Sequence, residues 1–128
     1  MKDKKVYVIP GEKIFSLESF YTVIGEVING PGGYFGSNLD AFIDCLRGGF
    51  GTPATYMLKW NKSEVSKKAL GYEETVRQLE KRLHSCHPSN KADIQKKLQR
   101  AKSKKGPTVF DWLIEIIEQA ENVDLILD

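Results

Sequence analysis

GGYFGSNLDAFIDCL, residues 32–46, changes character halfway along. Its first residues are glycine and aromatic. From Ser37 onward, Leu39, Phe42, Ile43 and Leu46 recur at helical spacing, so a helix is expected over about residues 37–47 with these four on its buried side. Ser37 reads as the N-cap, and Asp40, three residues on, stands near the position of a capping-box acid, where the helix dipole favours a carboxylate. Asp44 has no such reason to be there. It lies one turn beyond Asp40 on the same exposed face, with Cβ atoms about 5–6 Å apart, where like charges repel by a few tenths of a kcal/mol. The plain alternative is that Arg47 relieves that repulsion in a solvated surface pair of small energetic value.

Outward from this stretch, strands and helices alternate. KVYVI (residues 5–9) is a short β-rich run stopped by Pro10-Gly11. Ser16 then precedes Leu17, Phe20, Tyr21, Ile24, Val27 and Ile28, which predicts a helix over 16–28. ATYMLKW (54–60) reads as a second strand, apolar enough for both of its faces to be covered. Pro107 and Thr108 open a last helix striped by Val109, Trp112, Leu113, Ile116, Ile117 and Ala120, and VDLIL (123–127) closes as a third strand. Strands separated by helical crossovers indicate an α/β fold: a small three-stranded parallel sheet packed by helices. A chain of 128 residues holds one such domain, expected over 1–128.

Between the second strand and the last helix the composition shifts. A short helix is expected at 63–70. Two longer ones, 72–87 and 90–104, meet at Pro88-Ser89 and carry narrow stripes of Val76, Leu79, Leu83 and Ile94, Leu98, Ala101. Residues 72–105 therefore read as an αα-hairpin inserted into the domain, solvated apart from its seam. Residues 59–105 carry 14 Lys and Arg against 5 Asp and Glu; the remainder carries 5 against 12. The formal net charge of +2 thus hides an acidic body and a basic insert, which invite different partners.

The run Tyr34-Phe35-Gly36-Ser37-Asn38-Leu39-Asp40-Ala41, with a second aspartate at Asp44, closely resembles the signature of the barstar family, intracellular protein inhibitors of secreted bacterial ribonucleases. Element order agrees, and the resemblance covers roughly residues 5–62 and 107–128, leaving the hairpin outside it. It implies a barstar-like sheet and a function without catalysis, in which an acidic helix and loop block the cationic active site of a ribonuclease. Asp44 would be the principal plug and Asp40 its partner, with Tyr34 and Phe35 as the aromatic pair. Asn38 matches the motif asparagine, which can equally be a structural turn residue. A further glutamate on the last helix maps by counting to Glu115, or one turn on to Glu118. The chain departs from the family's type member at Ile43 and Gly49, where that protein has tryptophans; Phe50 stands close enough to replace part of the lost surface. The departure favours a target other than barnase.

Other chemistries find less in the residues. His84, Cys86 and His87 crowd one helix end, but three candidates without a second cluster do not make a structural zinc site, and no metal or cofactor is expected. Cys45 has no histidine nearby in sequence and reads as core; Cys45 and Cys86 are expected as free thiols. The glycines at 48–51 include no phosphate-binding motif. Asp40 and Asp44 as the acid and base of a hydrolase would need a pocket that separates their pKa values. RNA gripped by the lysines of the hairpin is the second-ranked reading, short of base-stacking aromatics because Tyr72 is the only one between Trp60 and Phe110. No apolar run is long enough to span a bilayer, and the N-terminal one is too short for a signal-peptide core, so a cytoplasmic protein, monomeric when free, is expected.

Overall fold

The computed structural model describes residues 4–128; residues 1–3, the start of the charged N-terminal run, lie outside the described residues. Three strands, β1 (Lys5–Pro10), β2 (Tyr56–Asn61) and β3 (Val123–Leu127), form a parallel sheet in the order β1-β2-β3. The helices are α1 (Leu17–Asn29), α2 (Leu39–Leu46), α3 (Ser63–Ala69), α4 (Tyr72–Ser85), α5 (Lys91–Lys102) and α6 (Val109–Gln119). Ser16 and Ser19 form a reciprocal capping box at α1, and Thr108 and Asp111 do the same at α6, so both starts follow from short polar side chains placed three residues apart.

Every second strand residue enters the core. Tyr7 and Ile9 of β1, Tyr56, Leu58 and Trp60 of β2, and Val123 of β3 are buried beneath α1, α2 and α6. A run of rings ties these layers together: Phe110 to Trp60 (5.1 Å), Trp60 to Phe20 (5.4 Å), Phe20 to Phe42 (5.3 Å) and Phe42 to Phe35 (6.1 Å). The Trp60 indole N–H donates to Ser66 Oγ, which donates to Gly11 O, so the buried indole and hydroxyl are both satisfied.

The opposite face of the sheet is not covered as expected for β2. Val6 and Val8 of β1 are 47% and 44% exposed, Ile126 of β3 is exposed on the far side of β2, and Met57 and Lys59 between them are only half-buried. All the crossover helices pack on one side, because the buried set of each strand is a single alternating series. The apolar run in β2 reflects its central place between two strands, not two buried faces.

The hairpin of α4 and α5 forms with its expected seam, in which Leu79, Leu98 and Ala101 are buried and flanked by Tyr72, Val76, Leu83 and Ile94. It is more than a solvated appendage. Trp112 of α6 packs against the seam, and Glu74 of α4 is buried with its Oε2 accepting from Leu17 N at 2.8 Å, which satisfies a free donor at the start of α1. Thr75 Oγ1 accepts from Val109 N at 2.9 Å and serves α6 in the same way. Glu18 on α1 pairs with Arg77 and Lys81 and accepts from Gln78.

Burial acts to raise the Glu18 carboxyl, but bonds from Gln78, Arg77 and Lys81 outweigh it and hold the group at about 2. Burial likewise acts to raise Glu74, but bonds from Arg77, Leu17 N and Gln78 outweigh it, and the group lies below its ordinary value. Both groups bind protons more weakly in the folded chain than in the unfolded one. The stabilisation from Glu18 is therefore complete above the ordinary carboxylate value of 4.5 and is lost as pH falls from there toward about 2, and that from Glu74 is likewise lost as pH falls below its ordinary value. Urea midpoints measured between pH 6 and 3 are expected to fall most steeply below 4.5, and Glu18→Gln to flatten that slope. A midpoint equally pH-dependent in the variant would show that Glu18 is not responsible.

Candidate functional site

The acidic helix α2 is eight residues long and fixed at both ends. At its start the cap is Asn38, not Ser37: Asn38 Oδ1 accepts from Ala41 N at 2.8 Å, while Ser37 makes no cap bond. Asn and Ser are equivalent caps by propensity, so only the backbone path decides between neighbours. Asp40 consequently falls in the first turn but outside any capping box, and helix-dipole attraction alone accounts for its local stability. At the other end Leu46 O accepts from Tyr56 Oη (3.0 Å) and Asn122 Nδ2 (2.8 Å), two donors from the sheet side.

Phe42, Cys45 and Leu46 face the core, Ile43 is half-buried, and Asp40, Asp44 and Arg47 are exposed. Among the described residues neither aspartate forms a salt bridge, and neither does Arg47, so the surface pair of the plain alternative, Asp44 with Arg47, is absent. Arg47 instead forms the C-cap residue of the helix. Two carboxylates on one short, anchored helix are thus left to solvent without a counter-charge. Burial, and then the charge of Asp44, push the Cys45 thiol up, which keeps it protonated and inert in the core.

The aromatic pair before the helix divides. Tyr34 is 52% exposed, whereas Phe35 is 0% exposed and packs edge-on against Phe42. Phe35, expected with Tyr34 at the partner surface, is corrected to a core residue: its ring completes the stack on Phe42, and only Tyr34 of the pair is left to solvent. Gly36 then turns the chain at φ +96°, where an added Cβ would lie 2.7 Å from Phe42 N. Gly36→Ala is expected to cost about 1–3 kcal/mol, read as a lower urea midpoint, and to disturb the start of α2. An unchanged midpoint would count against this account of the turn.

A residue that the sequence reading passed over organises the surface. Asn29 is the last residue of α1. Its Nδ2 donates to Tyr34 O (2.7 Å) and to Phe50 O (2.9 Å), clamping together the loops on either side of α2. Phe50 is 44% exposed, so Tyr34 and Phe50 are the exposed aromatics of these two loops. An asparagine closing a helix before a glycine-rich loop was the available signal, but its two acceptors come from different loops. Glu115 is exposed on α6, which packs beside α2, with Oε1 accepting from Gln119 Nε2 at 3.3 Å; Glu118 is exposed as well.

Elsewhere, His87 Nδ1 accepts from Ser89 N at 3.1 Å and so closes the turn between α4 and α5. Among the described residues no group of three metal-ligating side chains is assembled, and no helix is long and apolar enough to cross a membrane.

No curated protein matches the chain. A family model described as Barstar (barnase inhibitor) matches residues 4–105. The matched span takes in the hairpin residues and stops before α6 and β3, whereas the resemblance carried by the motifs left the hairpin out and took those two elements in. With most of its length matched and a three-stranded parallel sheet packed by helices, this chain belongs to the barstar family, whose members are inhibitors and not enzymes.

Proposed function

We propose that this protein inhibits one particular ribonuclease, a secreted bacterial toxin or nuclease, as a cytoplasmic immunity protein that is monomeric when free. The observation that carries the reading is the pair Asp40 and Asp44: exposed, on one face of an anchored helix, and without a cationic partner of their own. A ribonuclease active site must hold phosphate and the charge developed in cleavage. It is cationic, and carboxylates presented rigidly can occupy it in place of phosphate. Ends tied by Asn38, Tyr56 and Asn122, with loops held by Asn29, lower the ordering cost of binding.

Around the carboxylates, Tyr34 and Phe50 supply apolar contact, Asn38 keeps its amide N–H groups for the partner, and Glu115 or Glu118 adds charge from α6. Phe50 takes over part of the surface that the family's type member gives to tryptophan. Residues 72–105 are proposed as an insertion in the single domain, one that shapes target choice. The RNA reading has less support, because Tyr72, the one aromatic ring of the hairpin, is half-buried and donates its hydroxyl to Gly106 O. The direct test is capture of bound proteins from the source cell followed by ribonuclease assay. Expected is one nuclease, inhibited at a one-to-one ratio; a captured partner without nuclease activity, or a nuclease left active in the complex, would overturn the proposal.

A further inference from the structure

Between the hairpin and the start of α6 lies a cavity of about 350 Å³ whose chemistry the ribonuclease reading does not use. Arg82, Arg100 and Lys105 line it, and among the described residues none of the three forms a salt bridge. Lys97 also reaches the wall, but is paired with Asp93 at 3.2 Å. No carboxylate is among the lining side chains, so the positive charge there is uncompensated. The rest of the lining is apolar, chiefly Leu39, Leu79 and Trp112, and the Arg82 guanidinium lies over the Trp112 ring at 4.7 Å from its centroid.

We propose that this cavity binds a nucleoside phosphate. Guanidinium and ammonium groups gathered without a counter-ion repel one another, and a phosphate with two or more charges removes that repulsion while accepting bidentate bonds from arginine. The planar Arg82 guanidinium stacked on Trp112 and the aliphatic wall of Leu79 suit a base, which a bare anion would leave unused. The volume lies at the low end for small-molecule sites, about 300–1,000 Å³, and matches a single nucleotide better than a strand. Leu39 is the first residue of α2, so an occupant rests against the base of the acidic helix.

The test is calorimetric titration of the full chain with adenosine 5′-diphosphate, adenosine and inorganic phosphate, alongside Trp112 fluorescence; Trp60 is fully buried and serves as the constant background. Expected is saturable diphosphate binding that weakens at high salt. Adenosine and phosphate alone should each bind at least about tenfold more weakly. Arg100→Gln with Lys105→Gln should weaken the diphosphate by at least about tenfold. Both residues are exposed, so folding is retained, and the thermal midpoint of the variant checks it. In the unaltered protein the diphosphate should raise that midpoint by mass action. The proposal fails if no saturable binding occurs by about 10 mM, if the double variant binds equally well, or if phosphate alone binds as tightly. A short oligoribonucleotide that binds when the diphosphate does not would overturn it in favour of nucleic acid.

Discussion

Asp44→Ala is expected to weaken binding to the cognate ribonuclease by at least about a hundredfold, or about 3 kcal/mol, and Asp40→Ala by about tenfold. The barnase–barstar pair is itself the standard case of such a dominant interface aspartate and sets the size of the expected effect. The ranking does rest on position. Asp40 sits in the first turn, where the helix dipole already accepts its charge, while Asp44 lies a turn further with no local reason to be acidic. Neither side chain has an ion pair to lose in the free protein, so Asp44→Ala should keep its unfolding midpoint and Asp40→Ala should lose only the roughly 0.3–1 kcal/mol of its helix-dipole interaction, the main effect of both appearing on binding. Inhibition titrations at low and high salt measure it; the association rate should fall with salt for the unaltered protein and less so for the variants. Equal inhibition by the Asp44 variant would sink the plug mechanism while leaving family membership untouched.

Glu74→Ala should lower the unfolding free energy by about 2–3 kcal/mol. Its carboxylate is buried and accepts from Leu17 N, Arg77 Nε and Nη2, and Gln78 Nε2, at 2.6–3.0 Å. Truncation leaves the first N–H of α1 without its acceptor, and leaves the Gln78 amide and the half-exposed Arg77 with Glu18 as their remaining carboxylate. The hairpin should then loosen from the body: amide exchange in α4 and α5 should accelerate, and Trp112, packed on both, should change its fluorescence. Glu74→Gln, which keeps an acceptor oxygen, should lose less. Were the hairpin only a solvated appendage, the substitution would stay within about 0.5 kcal/mol, as surface changes usually do.

Much of this molecule was legible in one dimension. The three strands and six helices follow from apolar periodicity and from Gly and Pro punctuation, and the hairpin seam was readable residue by residue because Val76, Leu79 and Leu83 recur every three or four positions. Asp44 stood out for the same reason, an acid at helical spacing from another acid. What escaped the reading were contacts between residues distant in the chain. Glu74 and Leu17 are separated by 57 positions, Asn122 and Leu46 by 76, and no local pattern encodes a hydrogen bond across such a gap.

The sequence by itself determined the elements, their order, the family signature and the pair of acids, because each is written in spacing along the chain. Only the tertiary structure decided which side of each residue meets solvent. It turned Phe35 inward and Tyr34 outward, left one face of the sheet open, chose Asn38 over Ser37 as the cap, and docked the hairpin through a buried glutamate. Those outcomes depend on which surfaces meet in three dimensions. Burial is a property of neighbours, and neighbours are supplied by the fold.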